Sequence, residues 1–127
     1  TDVTVVSFGK MVPRVVIPAV EELEKEGISV ELIDLRTVRP IDFEAIINSV
    51  KKTNRLVVVE EAWPLASISS EITFRVQKDA FDYLDAPVTR VTSADVPLGY
   101  APTLVEASLP SITKVVKAIK EVSYIKK

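Results

Sequence analysis

Glu60 and Glu61 are adjacent carboxylates at the end of an unbroken apolar run, Leu56, Val57, Val58 and Val59. The chain's single tryptophan, Trp63, follows with Pro64 behind it. Paired carboxylates can share general acid and base work when both reach one substrate proton path. Successive residues of an extended strand point to opposite faces, so packing or interface roles for Glu60 and Glu61 are favoured over catalysis. Trp63 is either an anchor at a subunit contact, where tryptophan is enriched, or a lid over the end of the sheet. Arg36 and Arg39 carry the forked guanidinium that grips phosphate or carboxylate. Salt bridges tying their loop to a neighbouring domain are the favoured reading.

The residue types that are missing narrow the chemistry further. There is no histidine, the side chain best suited to proton transfer near neutral pH. Cysteine is absent as well, which excludes disulfides and thiolate chemistry. Three glycines in 127 residues cannot furnish a glycine-rich phosphate loop. Net charge is −2, and no block of like charge is long enough to act as a nucleic-acid tail. No run of about 18 apolar residues is present, so no membrane span is expected. Apolar residues make up 47% of the chain, which suits one domain with a real core. The chain opens on Thr1 with no signal-like stretch, so a piece of a longer or processed polypeptide is expected.

These groups need a scaffold, and the hydrophobic pattern supplies one. Residues 3–8 form a β-branched strand ended by Gly9. Val12, Val15, Val16, Ala19, Val20 and Leu23 then make the stripe of a core-facing helix. Pro13 suits its first turn, whereas Pro18 crowds the carbonyl of Arg14 and predicts a kink or a helix regular only beyond it. Gly27 is the natural stop. Residues 28–33 alternate, with Ser29 and Glu31 on the wet face, and read as a strand near an edge. Asp42 is placed to cap a helix carrying Phe43, Ile46, Ile47 and Val50, with Ile41 and Ile46 spaced as a hydrophobic staple. Asn54 can supply its left-handed end.

The apolar run before Glu60 reads as a strand covered on both faces. Ser67 or Ser69 can cap the helix of Ile68, Ile72 and Val76. Residues 81–87 are a connector, residues 88–92 an edge strand, and residues 95–110 an irregular loop. A last helix carries Ile112, Val115, Val116, Ile119 and Val122, with Lys114, Lys117 and Lys120 as its solvated face. The alternation predicts a parallel sheet. The doubly covered first and third strands belong in the middle, giving strand order 2-1-3-4 with helices on both faces.

Several stretches occur in a diagnostic order: Asp34-Leu35-Arg36-Thr37-Val38-Arg39-Pro40, Lys52-Thr53-Asn54-Arg55-Leu56-Val57-Val58-Val59-Glu60-Glu61, Trp63-Pro64, Phe81-Asp82-Tyr83-Leu84-Asp85-Ala86-Pro87, Ala94-Asp95-Val96-Pro97 and Tyr100-Ala101. Across essentially the whole chain the sequence resembles the carboxyl-terminal domain of pyruvate dehydrogenase E1 β subunits, a domain of the transketolase carboxyl-terminal type. The resemblance implies a three-layer α/β/α fold and a mixed five-stranded sheet. Its antiparallel strand would lie just before the position of Thr1, leaving the edge beside residues 28–33 open. Residues 1–127 would then be one domain, a fragment of a longer β subunit.

The resemblance also implies a function. The family's enzyme decarboxylates pyruvate on thiamine diphosphate with Mg2+ and passes the acetyl group to a lipoyl domain of E2. The cofactor site lies between the E1 α subunit and the amino-terminal domain of β, so this domain alone is expected to bind no cofactor and to be inactive. Its implied partners are the E1 α subunit, a second β subunit in an α2β2 heterotetramer, and the basic peripheral subunit-binding domain of E2. Asp85 is the carboxylate carried over for E2 docking, and the terminal carboxylate on Lys127 is expected to assist. The implied location is the mitochondrial matrix, with bacterial cytoplasm as the alternative. Two other readings compete: the matching domain of a branched-chain 2-oxoacid dehydrogenase, and a free-standing regulatory domain for a small ligand. The sequence departs from the family where Ala62, Ser67 and Ser69 replace usual glycines. A turn needing positive φ there would be reshaped or strained.

Overall fold

The computed structural model describes residues 2–36, 41–62, 67–93 and 109–124. Four strands, β1 (Val3–Ser7), β2 (Val30–Asp34), β3 (Leu56–Val59) and β4 (Thr89–Val91), form a parallel sheet in the order β2-β1-β3-β4. β1 pairs with β2 from Val3 opposite Val30 to Ser7 opposite Asp34. On its other side it pairs with β3, from Thr4 opposite Leu56 to Ser7 opposite Val59. β3 carries β4, with Val58 opposite Arg90.

The burial that suggested this order has a direct cause. Side chains alternate across a strand, and β1 and β3 send apolar groups both ways. Val3, Val5, Val57 and Val59 enter one core with Val15, Ala19, Leu23, Val115 and Ile119. Val6, Leu56 and Val58 enter a second core with Ile46, Val50, Ile72 and Val76. Helices α1 (Ile17–Lys25) and α4 (Ile112–Val122) therefore cover one face, and α2 (Phe43–Thr53) and α3 (Ile68–Ala80) the other. β2 is only half-buried along most of its length, and among the described residues no strand pairs with its outer edge.

The end signals behave as the residue types dictate. Asp42 accepts the Ala45 N–H at 3.1 Å and caps α2. Asn54 ends that helix in the left-handed conformation, φ 65°. Of the two candidate caps for α3, Ser67 is the one used, accepting from the Ser70 N–H. Neither Ser67 nor Ser69 has positive φ, so both sit in ordinary backbone and the strain expected at them does not arise.

Pro18 is accommodated in a way the helical stripe does not reveal. Residues Val12–Val16 form a π-helical turn, and the Ile17 N–H reaches back five residues to the Val12 carbonyl. The wider turn precedes Pro18, so the α-helix proper is regular from Ile17 onward. A π-turn absorbs a residue that the tighter ladder would exclude. The strands are shorter than the apolar runs: Phe8 lies outside β1, residues 28 and 29 outside β2, and Val88 and Thr92 outside β4. The irregular loop expected at 95–110 falls mostly outside the described residues. The basic face of α4 also needs correction. Lys120 is largely covered and pairs with Glu26 at 2.7 Å, tying α4 to the end of α1.

A second ion pair gives a pH-dependent prediction. The Lys52 ammonium donates to Glu31 Oε1 at 2.9 Å and lies 2.8 Å from Oε2. That bond is the main reason the Glu31 carboxyl titrates below its usual range, with burial opposing it and the Ser49 hydroxyl adding to the lowering. A carboxyl whose folded-state value is depressed stabilises the fold above its unfolded value, and loses that contribution as pH falls through the folded value. Lys52→Met is therefore expected to lower stability by about 0.5 kcal/mol near neutrality. The gap should close as pH falls below about 4. Urea unfolding of both proteins at the two pH values checks this, and a gap that persists in acid contradicts it.

Candidate functional site

Parallel strands give the sheet a carboxyl end and an amino end, and the structure distributes the sequence candidates between them. Glu60, directly after β3, and Arg36, shortly after β2, are at the carboxyl end. Asp85, which precedes β4 and bonds to the residue just before Arg55, is at the amino end. Trp63, Arg39 and Lys127 lie outside the described residues.

Glu60 is 1% exposed. Its backbone N–H donates to the Val91 carbonyl at 3.0 Å, which carries the sheet pairing one step past β3. Its carboxylate accepts from the Ser69 hydroxyl at 2.7 Å and from the Ser69 N–H at 3.3 Å. Both donors belong to the first turn of α3, where unpaired N–H groups and the helix dipole favour negative charge. Arg90, on β4, donates from Nη1 to Ser70 Oγ at 2.8 Å and to Ser69 Oγ at 3.4 Å. The result is a continuous Glu60, Ser69, Ser70, Arg90 network locking β3, α3 and β4 together. The Ser69 hydroxyl is what engages the buried acid, a contact that no glycine could make.

Glu61 is exposed, so the two carboxylates do not share a site. Alternation across the strand predicts this separation. Arg36 meets Asp34 at 3.8 Å with nine-tenths of its side chain exposed. That weak pair joins Arg36 to the end of the strand before it, β2, and does not involve Glu60. The carboxyl end therefore holds, among the described residues, a structural latch, with Arg36 and Glu61 facing outward beside it. Among the described residues no three His, Cys, Asp or Glu side chains come together to hold a metal ion.

The amino end is built differently. α3 runs into a short 3-10 turn, Phe81–Tyr83, and the next residues divide between the two cores. Leu84 packs on the α2–α3 side and Ala86 on the α1–α4 side. Asp85 lies between them, with its side chain exposed. Its N–H donates to the Asn54 carbonyl at 2.8 Å, and its own carbonyl accepts the Tyr124 hydroxyl at 2.9 Å. Beside it is a cleft of about 460 Å3 whose lining includes Thr73, Gln77, Phe81, Leu84, Pro87 and Val88. Phe81 is 64% exposed and Phe74, nearby on α3, 59%. Lys51 lies over the Tyr83 ring at 5.3 Å. The arrangement offers a carboxylate at the rim of an apolar recess. The Tyr124 contact leaves no local sign in the sequence, because its partners are 39 residues apart. The only hint was an aromatic two residues beyond the last buried position of α4.

The chain matches the family model described as "Transketolase, C-terminal domain" over residues 1–115. It belongs to that family. This transketolase C-terminal domain is 51% identical, over 97% of its length, to a pyruvate dehydrogenase E1 component subunit beta from Rhizobium meliloti (strain 1021), of which it covers 26%. It is 50% identical, over 96% of its length, to a mitochondrial protein of the same name from Dictyostelium discoideum, of which it covers 34%. The domain thus spans about a third of the length of the relatives it matches, and those include bacterial and mitochondrial proteins. Among solved structures, one described as "Split gene transketolase, inactive beta4 tetramer" superposes with a TM-score of 0.84 at 27% identity. That match covers 99% of this domain and 40% of the other chain. No helix among the described residues is long and apolar enough to cross a membrane.

Proposed function

We propose that this domain is the carboxyl-terminal assembly and docking domain of a pyruvate dehydrogenase E1 β subunit, one part of a longer polypeptide. The observation that carries the reading is the exposed Asp85 carboxylate at the rim of the apolar cleft. It is supported by identity near 50% to E1 β subunits over nearly the whole domain. An acid at an apolar rim suits a basic partner, because the ion pair loses water as the surrounding surfaces close. In this reading the partner is the basic peripheral subunit-binding domain of E2.

Arg36, Arg39, Glu61 and Trp63 belong in this reading to contacts with the E1 α subunit or a second β subunit. Glu60 serves that reading by fixing β3 to α3. Thiamine diphosphate and Mg2+ are held by other parts of the assembled enzyme. The described acids are dispersed or engaged with serines, so no cofactor step is assigned to them. The domain's contribution to oxidative decarboxylation of pyruvate is then to bring E1 to the E2 core.

Calorimetric titration of the E2 binding domain into the intact polypeptide, at low and at physiological salt, tests the reading. Saturable binding that weakens as salt rises is the expected result, since an acid-to-base contact is screened. No binding at either salt, with heat released instead on adding inorganic phosphate, would favour a free-standing ligand-binding domain.

A further inference from the structure

Among the described residues, two that are not glycine have left-handed backbone: Asn54 at φ 65° and Tyr124 at φ 57°. These same two residues hold the peptide groups of Asp85. The Asn54 carbonyl accepts the Asp85 N–H, and the Tyr124 hydroxyl donates to the Asp85 carbonyl. They come from helices on opposite faces of the sheet, Asn54 from the end of α2 and Tyr124 from just beyond α4. Asparagine visits this conformation readily, but a tyrosine there is disfavoured and persists only where its surroundings over-determine it. Burial does not explain it, because Tyr124 is 65% exposed. Tyr124 directly follows the end of α4, its N–H bonding to the Glu121 carbonyl, and a glycine would take that left-handed place at no steric cost. The hydroxyl bond to Asp85 is what a tyrosine adds there.

We propose that Asn54 and Tyr124 are positioning residues that clamp the Asp85 peptide from both layers, so that its carboxylate meets a cationic partner in one preset orientation. This inference rests on the docking reading above. A preset carboxylate leaves less loop freedom to be lost on association, so the clamp acts on affinity through Asp85 alone.

The test is a double-mutant cycle on the intact polypeptide, with Tyr124→Phe, Asp85→Ala and their combination. Calorimetry follows the affinity for the E2 peripheral subunit-binding domain, and NMR follows exchange of the Asp85 amide proton. Tyr124→Phe keeps the ring and removes only the hydroxyl. It is expected to weaken binding about 3- to 10-fold and to speed exchange at Asp85. In the Asp85→Ala background it should have no further effect on binding, which a merely structural role would not produce. Unchanged binding by Tyr124→Phe, or an equal loss with and without Asp85, overturns the clamp while leaving docking intact. If Asp85→Ala itself binds normally, the docking reading fails and the clamp fails with it.

Discussion

Asp85→Ala is expected to weaken binding of the E2 peripheral subunit-binding domain about 30- to 1,000-fold. This corresponds to about 2–4 kcal/mol. The free carboxylate is exposed, but Leu84, Phe81 and Pro87 surround it with apolar surface. Closing a partner over that surface would take the ion pair out of water. Truncating the acid then leaves the partner's cation desolvated without a counter-charge, which is what makes such losses large. The fold should not notice. Among the described residues only the backbone of Asp85 is bonded, so urea unfolding should move by no more than about 0.5 kcal/mol. Asp85→Asn keeps the shape and an acceptor but removes the charge, and its residual binding should lose most of its salt dependence. Calorimetry on the three proteins separates these effects. Full affinity in Asp85→Ala would end the proposal that this loop docks a basic partner.

Thr4→Val should destabilise the fold by about 1–3 kcal/mol, although it makes a wholly buried strand more apolar. Thr4 is the second residue of β1 and has no exposure. Its hydroxyl lies 2.7 Å from those of both Ser49 and Thr53, on the buried face of α2. Thr53 also donates to the Arg55 carbonyl at 3.0 Å, so the hydroxyls run from the end of α2 to the start of β3. Valine has nearly the same shape as threonine, so packing is kept while two hydrogen bonds are lost in a dry environment. Removing both partners of such a bond is milder than removing one. Ser49→Ala should therefore destabilise Thr4→Val less than it destabilises the natural protein. Denaturant midpoints for the four proteins of this cycle decide the matter, and a more stable Thr4→Val would contradict it.

Hydrophobic patterning made the sheet legible because burial on one face and burial on two leave different traces. The unbroken runs of β1 and β3 had to be central, and the alternation of β2 and β4 had to be peripheral. Caps were legible for a related reason: Asp42, Asn54 and Ser67 act on backbone within a few residues of themselves. Pro18 was legible only as a problem, because its penalty assumes the α-helical ladder and the chain changes ladder instead. The candidate site was far less visible. Glu60 stood out as chemistry, yet its engagement by Ser69 depends on how α3 meets β3. Asp85 carried no signal beyond family resemblance, and the two residues that hold it are far from it in sequence. Charge alone also misled at Lys120, whose amphipathic position looked solvated but faces Glu26 across a helix contact.

β1 is flanked by strands that come after it in the chain, and none of the three parallel pairings is a hairpin. A nascent polypeptide that has not yet extended past Leu56 can satisfy at most one side of β1, while the apolar groups meant for β3 remain uncovered. A strand buried along its whole length thus precedes, in the chain, both of the strands that complete it. On the ribosome the domain must wait for about half its length before its centre can close, an interval in which a holdase chaperone would find its best target.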